Sequence, residues 1–295
     1  MGRATNADVK RMKERIAAIK AAHPNYQRIL EFFEKLLLEQ LKIRAQVDCR
    51  GPEISEDSAR IRAKEGFPML SKGDFSFNSH LAARLFRSIC RIAKRENEKL
   101  KAEVGKIERA LQRKEIDLEM CLLKALEGDQ KYLSQIAADV GIDRGVMSFM
   151  LHTTIKPFVE VTASHLKDKV DEDMWDKGYC PICGSQPLMG ELRGEEGKRI
   201  WTCSFCGTQW HGKRVMCPFC ENTDQGSLRY FYTEKEKAYR IDICDKCKRY
   251  IKTVDSRQLA EEIFLPVEDI ATLHLDILAG DKGFKREAFN FLGIF

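Results

Sequence analysis

Two stretches bounded by cysteines decide the fold of this chain: residues 180–206, CPICGSQPLMGELRGEEGKRIWTCSFC, and residues 217–247, CPFCENTDQGSLRYFYTEKEKAYRIDICDKC. Each stretch begins and ends with a C-x-x-C pair. Two thiolates three positions apart on a tight turn converge on one metal ion, so the four pairs supply ligands for two four-cysteine sites.

The spacers favour pairing in sequence order. The first stretch holds 19 residues between its two pairs and the second holds 23, and each spacer has room for one β-hairpin. Only 10 residues separate the stretches, which suits a connector between two modules. An interleaved, cross-brace pairing stays open. The predicted metal ligands are Cys180, Cys183, Cys203 and Cys206 for the first site, and Cys217, Cys220, Cys244 and Cys247 for the second.

Four thiolates suit either zinc or a single iron ion, so the sequence predicts two metal ions without choosing between these elements. The C-P-x-C-G form at Cys180 resembles the knuckle of rubredoxin, which supports iron. Gly184 and Gly207 follow their knuckles directly, where a positive φ would turn backbone N–H groups toward the sulfurs. Full thiolate coordination leaves no open position for hydrolysis, so a structural role is expected ahead of a redox role.

Composition and charge exclude several functions. The formal charge of +5 comes from 50 basic and 45 acidic residues spread along the chain, which is weak support for nucleic-acid binding. Residues 1–23 lack the apolar core of a signal peptide, and no long apolar stretch follows. We expect a cytoplasmic protein without membrane insertion and with reduced cysteines. No nucleotide-binding, metalloprotease or nucleophile motif occurs, so we do not predict an enzyme.

Apolar residues recur at helical spacing through most of the N-terminal half. Glycine and proline punctuate residues 48–77, which we interpret as an ordered loop. The predicted helices cover residues 6–22, 24–47, 79–95, 97–127, 129–140 and 143–169.

The composition changes at Trp175. From there on the chain is rich in cysteine and glycine, and apolar and polar residues alternate as in β-strands. Two hairpins are predicted, 187–192 with 198–202 and 228–232 with 238–243, and two helices follow at 256–264 and 266–279. The fold class is therefore α+β: a helical N-terminal domain, two tandem rubredoxin-like or zinc-ribbon modules with short β-hairpins, and a helical C-terminal tail. The predicted domains are 1–174 (helical), 175–212 (first module) and 213–295 (second module with the C-terminal helices).

The residues around the first pair form the pattern W-x-x-G-Y-C-P-x-C-G-S-x-P, from Trp175 to Pro187. This ordered set resembles the formate dehydrogenase accessory protein family (FdhE). The resemblance covers the C-terminal half well, whereas the N-terminal half is similar in kind and length. Further residues that carry it are Trp201, Trp210, Arg214, Tyr250, Lys252, Asp269, Ala271, Leu275, Asp276 and Gly283.

The resemblance implies a cytoplasmic maturation factor that binds the catalytic subunit of a molybdenum- or tungsten-dependent formate dehydrogenase and supports its assembly or activation. It also implies that the eight cysteines form rubredoxin-like sites able to carry iron. Two alternatives stay open: an iron electron-transfer or redox-sensing protein, and a zinc-ribbon nucleic-acid-binding protein. We do not expect nucleic acid as a partner, and self-association is left open. Aromatic residues beside the knuckles either contact a partner or pack around the metal modules.

Overall fold

The structure, a computed structural model, describes residues 6–48, 51–96, 98–172, 174–234 and 236–288. Helices fill its N-terminal part, and a sheet with two further helices follows, which confirms the predicted α+β class. None of the helices in these ranges combines the length and apolar composition needed to span a bilayer.

The N-terminal helices pack around one central helix, α8. This helix contacts α2, α4, α6 and α7 and buries residues on all sides, among them Phe158 and Thr154. A helix that is covered all round belongs in the interior of a domain. The helices are α1 (Asn6–Ala22), α2 (Gln27–Arg44), α3 (Glu56–Glu65), α4 (Ser79–Glu96), α5 (Glu98–Gln112), α6 (Leu118–Glu127), α7 (Gln130–Asp139) and α8 (Arg144–Ser164).

Two details of the N-terminal helices differ from the sequence-based expectation. The predicted loop at 48–77 contains helix α3, which begins after the Ser55 side chain caps the Ser58 N–H and ends at Gly66 with φ 74°. The predicted helix at 97–127 is two helices, because the chain turns after Lys114, whose φ is 58°, and restarts with Asp117 as the cap of α6.

One sheet contains all seven strands of the described residues, in the order β3-β2-β1-β6-β5-β4 with β7 beside β6. Both predicted hairpins are present, as β1 with β2 and β4 with β5. The strands are β1 (Pro187–Arg193), β2 (Lys198–Cys203), β3 (Gln209–His211), β4 (Leu228–Phe231), β5 (Tyr239–Cys244), β6 (Arg249–Asp255) and β7 (Lys285–Arg286).

A parallel pairing of β1 with β6 joins the two cysteine modules. Gly190 lies opposite Thr253, so close that a Cβ at Gly190 would stand 2.7 Å from the threonine Oγ1. The absence of a side chain at Gly190 therefore lets the two hairpins form one sheet. The division of the chain into domains at residues 174 and 212 stays a prediction.

Helices α9 (Leu265–Ala271) and α10 (Leu273–Asp281) lie between β6 and β7 in the chain. The predicted helix at 256–264 is wrong, since its start forms only a 3-10 turn, Ser256–Gln258. Strand β5 alternates: Tyr239 and Ile241 share an apolar core with Leu275 of α10, whereas Arg240 and Asp242 point to the opposite face. The two helices thus cover one face of the sheet.

Buried ion pairs connect these parts. Arg15 of α1 donates to Glu268 of α9, with an Nε–Oε1 distance of 2.7 Å, and the Tyr239 hydroxyl donates to the same carboxylate at 2.6 Å. The first and last helical regions are therefore held together through one carboxylate.

Candidate metal centres

The first site brings together the sulfurs of Cys180, Cys183, Cys203 and Cys206. Its Sγ–Sγ distances are 3.4 Å for Cys183 with Cys203 and 3.5 Å for Cys206 with either Cys180 or Cys183. Four thiolates bound at about 2.3 Å around a tetrahedral ion lie about 3.8 Å apart. A disulfide would instead need about 2.05 Å. The spacing fits one tetrahedral ion.

The second site brings together Cys217, Cys220, Cys244 and Cys247. The Sγ–Sγ distance is 3.7 Å both for Cys217 with Cys247 and for Cys220 with Cys244. The cysteines are therefore grouped in sequence order, not interleaved. All four cysteines of the first site are buried, whereas Cys220 and Cys247 of the second are partly exposed.

All four knuckles share one backbone conformation. The residue after each second cysteine has a positive φ: 71° at Gly184, 70° at Gly207, 55° at Glu221 and 56° at Lys248. Its N–H donates to the carbonyl of the first cysteine of its pair, over 2.9 to 3.3 Å. The positive φ expected at the two glycines is confirmed. The second module adopts the same turn with residues that have a Cβ, which is the more strained solution.

Polar groups beside the knuckles donate toward the sulfurs. The backbone N–H groups of Phe205 and Cys206 both lie 3.4 Å from Cys203 Sγ. The Asn222 side chain donates to Cys244 Sγ at 3.7 Å. Such donors stabilise thiolates and tune a bound metal. Asn222 could not be recognised from the cysteine spacing, because its role depends on the fold of the second hairpin.

Burial at the first site disfavours charged thiolates unless a cation lies among them. Burial raises the pKa of the Cys180 and Cys206 thiols. Hydrogen bonds from the other three thiols lower the pKa of Cys183. Several buried thiolates repel one another unless a positive charge lies between them. A soft divalent ion such as zinc or iron matches both this charge requirement and the four sulfur donors.

The first site lies against the helical domain on two sides. Met69 and Leu70 donate their backbone N–H groups to the carbonyls of Pro181 and Ile182, at 2.9 and 2.7 Å. On the other side, Lys156 of α8 donates to the carbonyl of Phe205 at 3.0 Å. An ion in this site would therefore hold both knuckles in the position that docks on the helices.

The aromatic residues near the knuckles mostly pack inward. Trp201 and Trp210 are 0% and 1% exposed, and their rings meet edge to face at 6.0 Å. Phe205 packs edge-on against Phe75 of the helical domain. The two tryptophans therefore support the module and are not open to a partner.

Two of the remaining cysteines are buried in the helical domain. Burial raises the pKa of the thiol to about 12 at Cys90 and to about 11 at Cys121. Both thiols are therefore protonated and unreactive at neutral pH. Cys49 lies outside the described residues.

Together the N-terminal helices, the single sheet and the two groups of four cysteines define an α+β protein with two candidate metal sites. Within this class, residues 179–214 match the central domain of FdhE, and residues 215–292 match the C-terminal domain of FdhE. The resemblance to the FdhE family is confirmed by these two matches.

Individual proteins named FdhE are also similar to this chain. The "Protein FdhE homolog" of Aquifex aeolicus is 28% identical over 286 residues, which cover 95% of this chain and 93% of that protein. "Protein FdhE" of Escherichia coli is 34% identical over 115 residues, covering 38% of this chain and 36% of that one. The crystal structure of the FdhE protein from Pseudomonas aeruginosa matches with a TM-score of 0.68 at 19% identity, over 98% of this chain and 96% of that chain. At this identity the match establishes the fold.

Proposed function

We propose that this protein is an accessory factor for a molybdenum- or tungsten-dependent formate dehydrogenase. It binds the catalytic subunit in the cytoplasm and supports its assembly or activation, without catalysing a reaction itself. The observation that carries the proposal is the match of residues 179–292 to the central and C-terminal domains of FdhE. The four cysteine pairs of those domains gather into two compact sites, which supports the same interpretation.

Each site binds one zinc or iron ion through its four cysteines, and the first ion is structural. Its ligands are buried, and the backbone of both its knuckles is bonded to the helical domain. A module of this size has little apolar surface of its own, so metal binding supplies folding free energy.

The second site supports an alternative function, iron-based electron transfer or redox sensing. Cys220 and Cys247 are partly exposed, so a sulfur edge of this site lies near the protein surface. A surface position of this kind favours electron exchange with a partner. A reversible one-electron couple in the purified protein would support this alternative, and zinc in both sites would contradict it.

Co-purification tests the main proposal. The tagged full chain is expressed anaerobically together with a formate dehydrogenase catalytic subunit, and both metal content and partner are measured in the eluate. We expect about two metal ions per chain, one per tetrahedral site, and a co-eluting catalytic subunit. Cys183→Ser should lose the first ion, whereas Cys121→Ala, outside both sites, should keep the metals and the partner. A fully metallated chain without the catalytic subunit would refute the proposed function.

A further inference from the structure

The sheet face opposite α9 and α10 holds a cavity of about 440 Å³. It lies between the β1–β2 turn and the second knuckle pair, and six arginines line it against two carboxylates, those of Glu196 and Asp242. Arg229, Arg249 and Arg257 pair with other carboxylates, so the excess positive charge lies at Arg199, Arg214 and Arg240. The arginines that line it are Arg199, Arg214, Arg229, Arg240, Arg249 and Arg257.

Asp242 organises two of these arginines. Its Oδ2 accepts from Arg199 at 3.0 Å and from the Thr253 hydroxyl at 2.6 Å, and its Oδ1 lies 3.1 Å from Arg240 Nε. Burial alone would raise the pKa of this carboxyl, but attraction to the two guanidinium groups outweighs it and holds the pKa below its ordinary value. One carboxylate thus orients two cations, and one positive charge stays unbalanced.

One buried guanidinium donor at this site is unpaired. The Nε atom of Arg199 has no hydrogen-bond partner among the described residues, and the Arg199 side chain is only 9% exposed, whereas Arg240 Nε is ion-paired with Asp242. Arg214, in the connector between the two modules, is exposed and makes no hydrogen bond or ion pair within the described part of the chain. A buried unpaired donor is costly in free energy, so Arg199 points to a ligand that accepts hydrogen bonds.

The rest of the cavity wall suits an organic group. The guanidinium of Arg240 stacks over the ring of Tyr230 at 4.7 Å, and this tyrosine is 58% exposed. Leu192 and Val215 add apolar surface. The volume lies within the range of about 300–1,000 Å³ that is usual for small-molecule sites.

We propose that this cavity binds a small phosphate-bearing molecule of the size of a nucleoside diphosphate. The planar guanidinium groups of Arg199, Arg214 and Arg240 bind the phosphate oxygens, since their forked donors match this geometry. The exposed ring of Tyr230 contacts the organic part. Because Arg214 belongs to the connector, the bound molecule bridges the two cysteine modules.

Titration calorimetry of the metal-loaded full chain in phosphate-free buffer tests the proposal. The probes are ADP, GDP and inorganic pyrophosphate, with a glutamate-rich peptide and single-stranded oligonucleotides of increasing length as comparisons. We expect a nucleoside diphosphate to bind, and Arg214→Gln and Arg240→Gln each to raise its Kd about tenfold or more, as for loss of a charged hydrogen bond. Arg113→Gln, on the exposed turn after α5, is the matched control and should leave the Kd unchanged.

Arg214→Gln keeps the test decisive, because this exposed side chain has no described partner whose loss could unfold the protein. Absence of binding by all three phosphate probes would overturn the proposal. Equal affinity in Arg214→Gln, Arg240→Gln and the control variant would also overturn it. Binding of the acidic peptide alone, or affinity that grows with oligonucleotide length, would assign the surface to a macromolecule instead.

Discussion

Gly178 lies directly against the backbone of Pro218, so that a Cβ at Gly178 would stand 2.1 Å from the proline carbonyl oxygen. The Gly178 N–H also donates to the side chain of Glu221 at 3.2 Å. The segment leading into the first knuckle therefore touches the second knuckle through a residue without a side chain. This contact explains physically why the pattern around Trp175 contains a glycine.

Gly178→Ala should destabilise the protein by about 1–3 kcal/mol, the usual cost of overpacking, because the obstacle is backbone and cannot rotate away. Urea unfolding of the metal-loaded protein measures the change. Gly280→Ala in α10 is the control, since a Cβ there meets nothing within 4 Å. That variant should be neutral or gain about 0.5–1 kcal/mol from helix propensity. Equal effects of the two substitutions would show that the contact with Pro218 is unimportant.

Lys248→Gly should stabilise the protein by about 0.5 kcal/mol. Lys248 has a φ of 56°, which strains a residue with a Cβ and suits glycine. Its ion pair with Asp245 involves a side chain that is 62% exposed and contributes little. The free energy of unfolding should rise, and a fall would mean that the Lys248 side chain outweighs the backbone strain.

Gly184→Ala, at the equivalent position of the first knuckle, should have the opposite sign. Its φ is 71°, and a Cβ would stand 2.9 Å from the Pro68 side chain. We expect a loss of about 1–2 kcal/mol from the left-handed backbone alone. The free energy of unfolding of both variants is measured by urea unfolding against the wild type, and we expect the two changes to have opposite signs.

Chelation should remove the ion of the second site before that of the first. Two cysteines of the second site, Cys220 and Cys247, are partly exposed, whereas all four cysteines of the first site are buried. A chromogenic chelator should release one equivalent rapidly and the other only as the protein unfolds. Cys247→Ser should abolish the fast phase and Cys183→Ser the slow one. A single phase in the wild type would contradict this order.

Arg15→Leu should cost about 3–5 kcal/mol, because Glu268 would remain buried without a cation. Glu268 is 0% exposed, and its contacts come from α1 and β5. The double variant Arg15→Leu with Glu268→Leu should recover much of this loss, since no unpaired charge remains. Urea unfolding of both single variants and the double variant measures the coupling, and additive losses would show that the two residues act independently.

Sequence spacing predicted the cysteine groups because each ligand pair and each hairpin is local. A spacer of hairpin length separates the two pairs of each site, which favours grouping in sequence order over the interleaved alternative. Helix α3 was missed although Ser55 and Gly66 carry ordinary capping signals. Gly51, Pro52 and Pro68 flank this short helix, and such residues favour a loop when the local pattern is considered alone.

Contacts between distant segments could not be predicted from local pattern. The parallel pairing of Gly190 with Thr253 joins two modules whose own sequences specify only hairpins. Likewise, Arg199, Arg214 and Arg240 meet in one cavity only because that pairing builds a continuous sheet. The sequence also gives no sign that the strand residue Lys252 is buried. Its side chain is 1% exposed, and Asp269 and Asp276 balance its charge.

The cluster around Asp269 should make stability depend on pH. Lys252 Nζ lies 2.9 Å from Asp269 and 2.7 Å from Asp276, while Arg286 pairs with both carboxylates and the Tyr250 hydroxyl donates to Asp276. Burial would raise the pKa of Asp269, but the two cations outweigh it and lower this pKa below its ordinary value of 3.8. The stabilisation is therefore complete above pH 3.8 and is lost as pH falls through the folded-state value.

Asp269→Asn should therefore be less stable than the wild type by about 3 kcal/mol or more at pH 7, the cost of breaking a buried ion pair. The difference should shrink as the pH falls below the ordinary carboxyl pKa, because the unfolded wild-type chain then binds a proton at Asp269 that the folded protein does not bind until lower pH. Urea unfolding of both proteins from pH 7 to pH 3 measures this difference. Protonation of the metal ligands affects both proteins alike, so it cancels in the comparison. A difference that stays constant over this range would mean that the charge of Asp269 does not stabilise the fold.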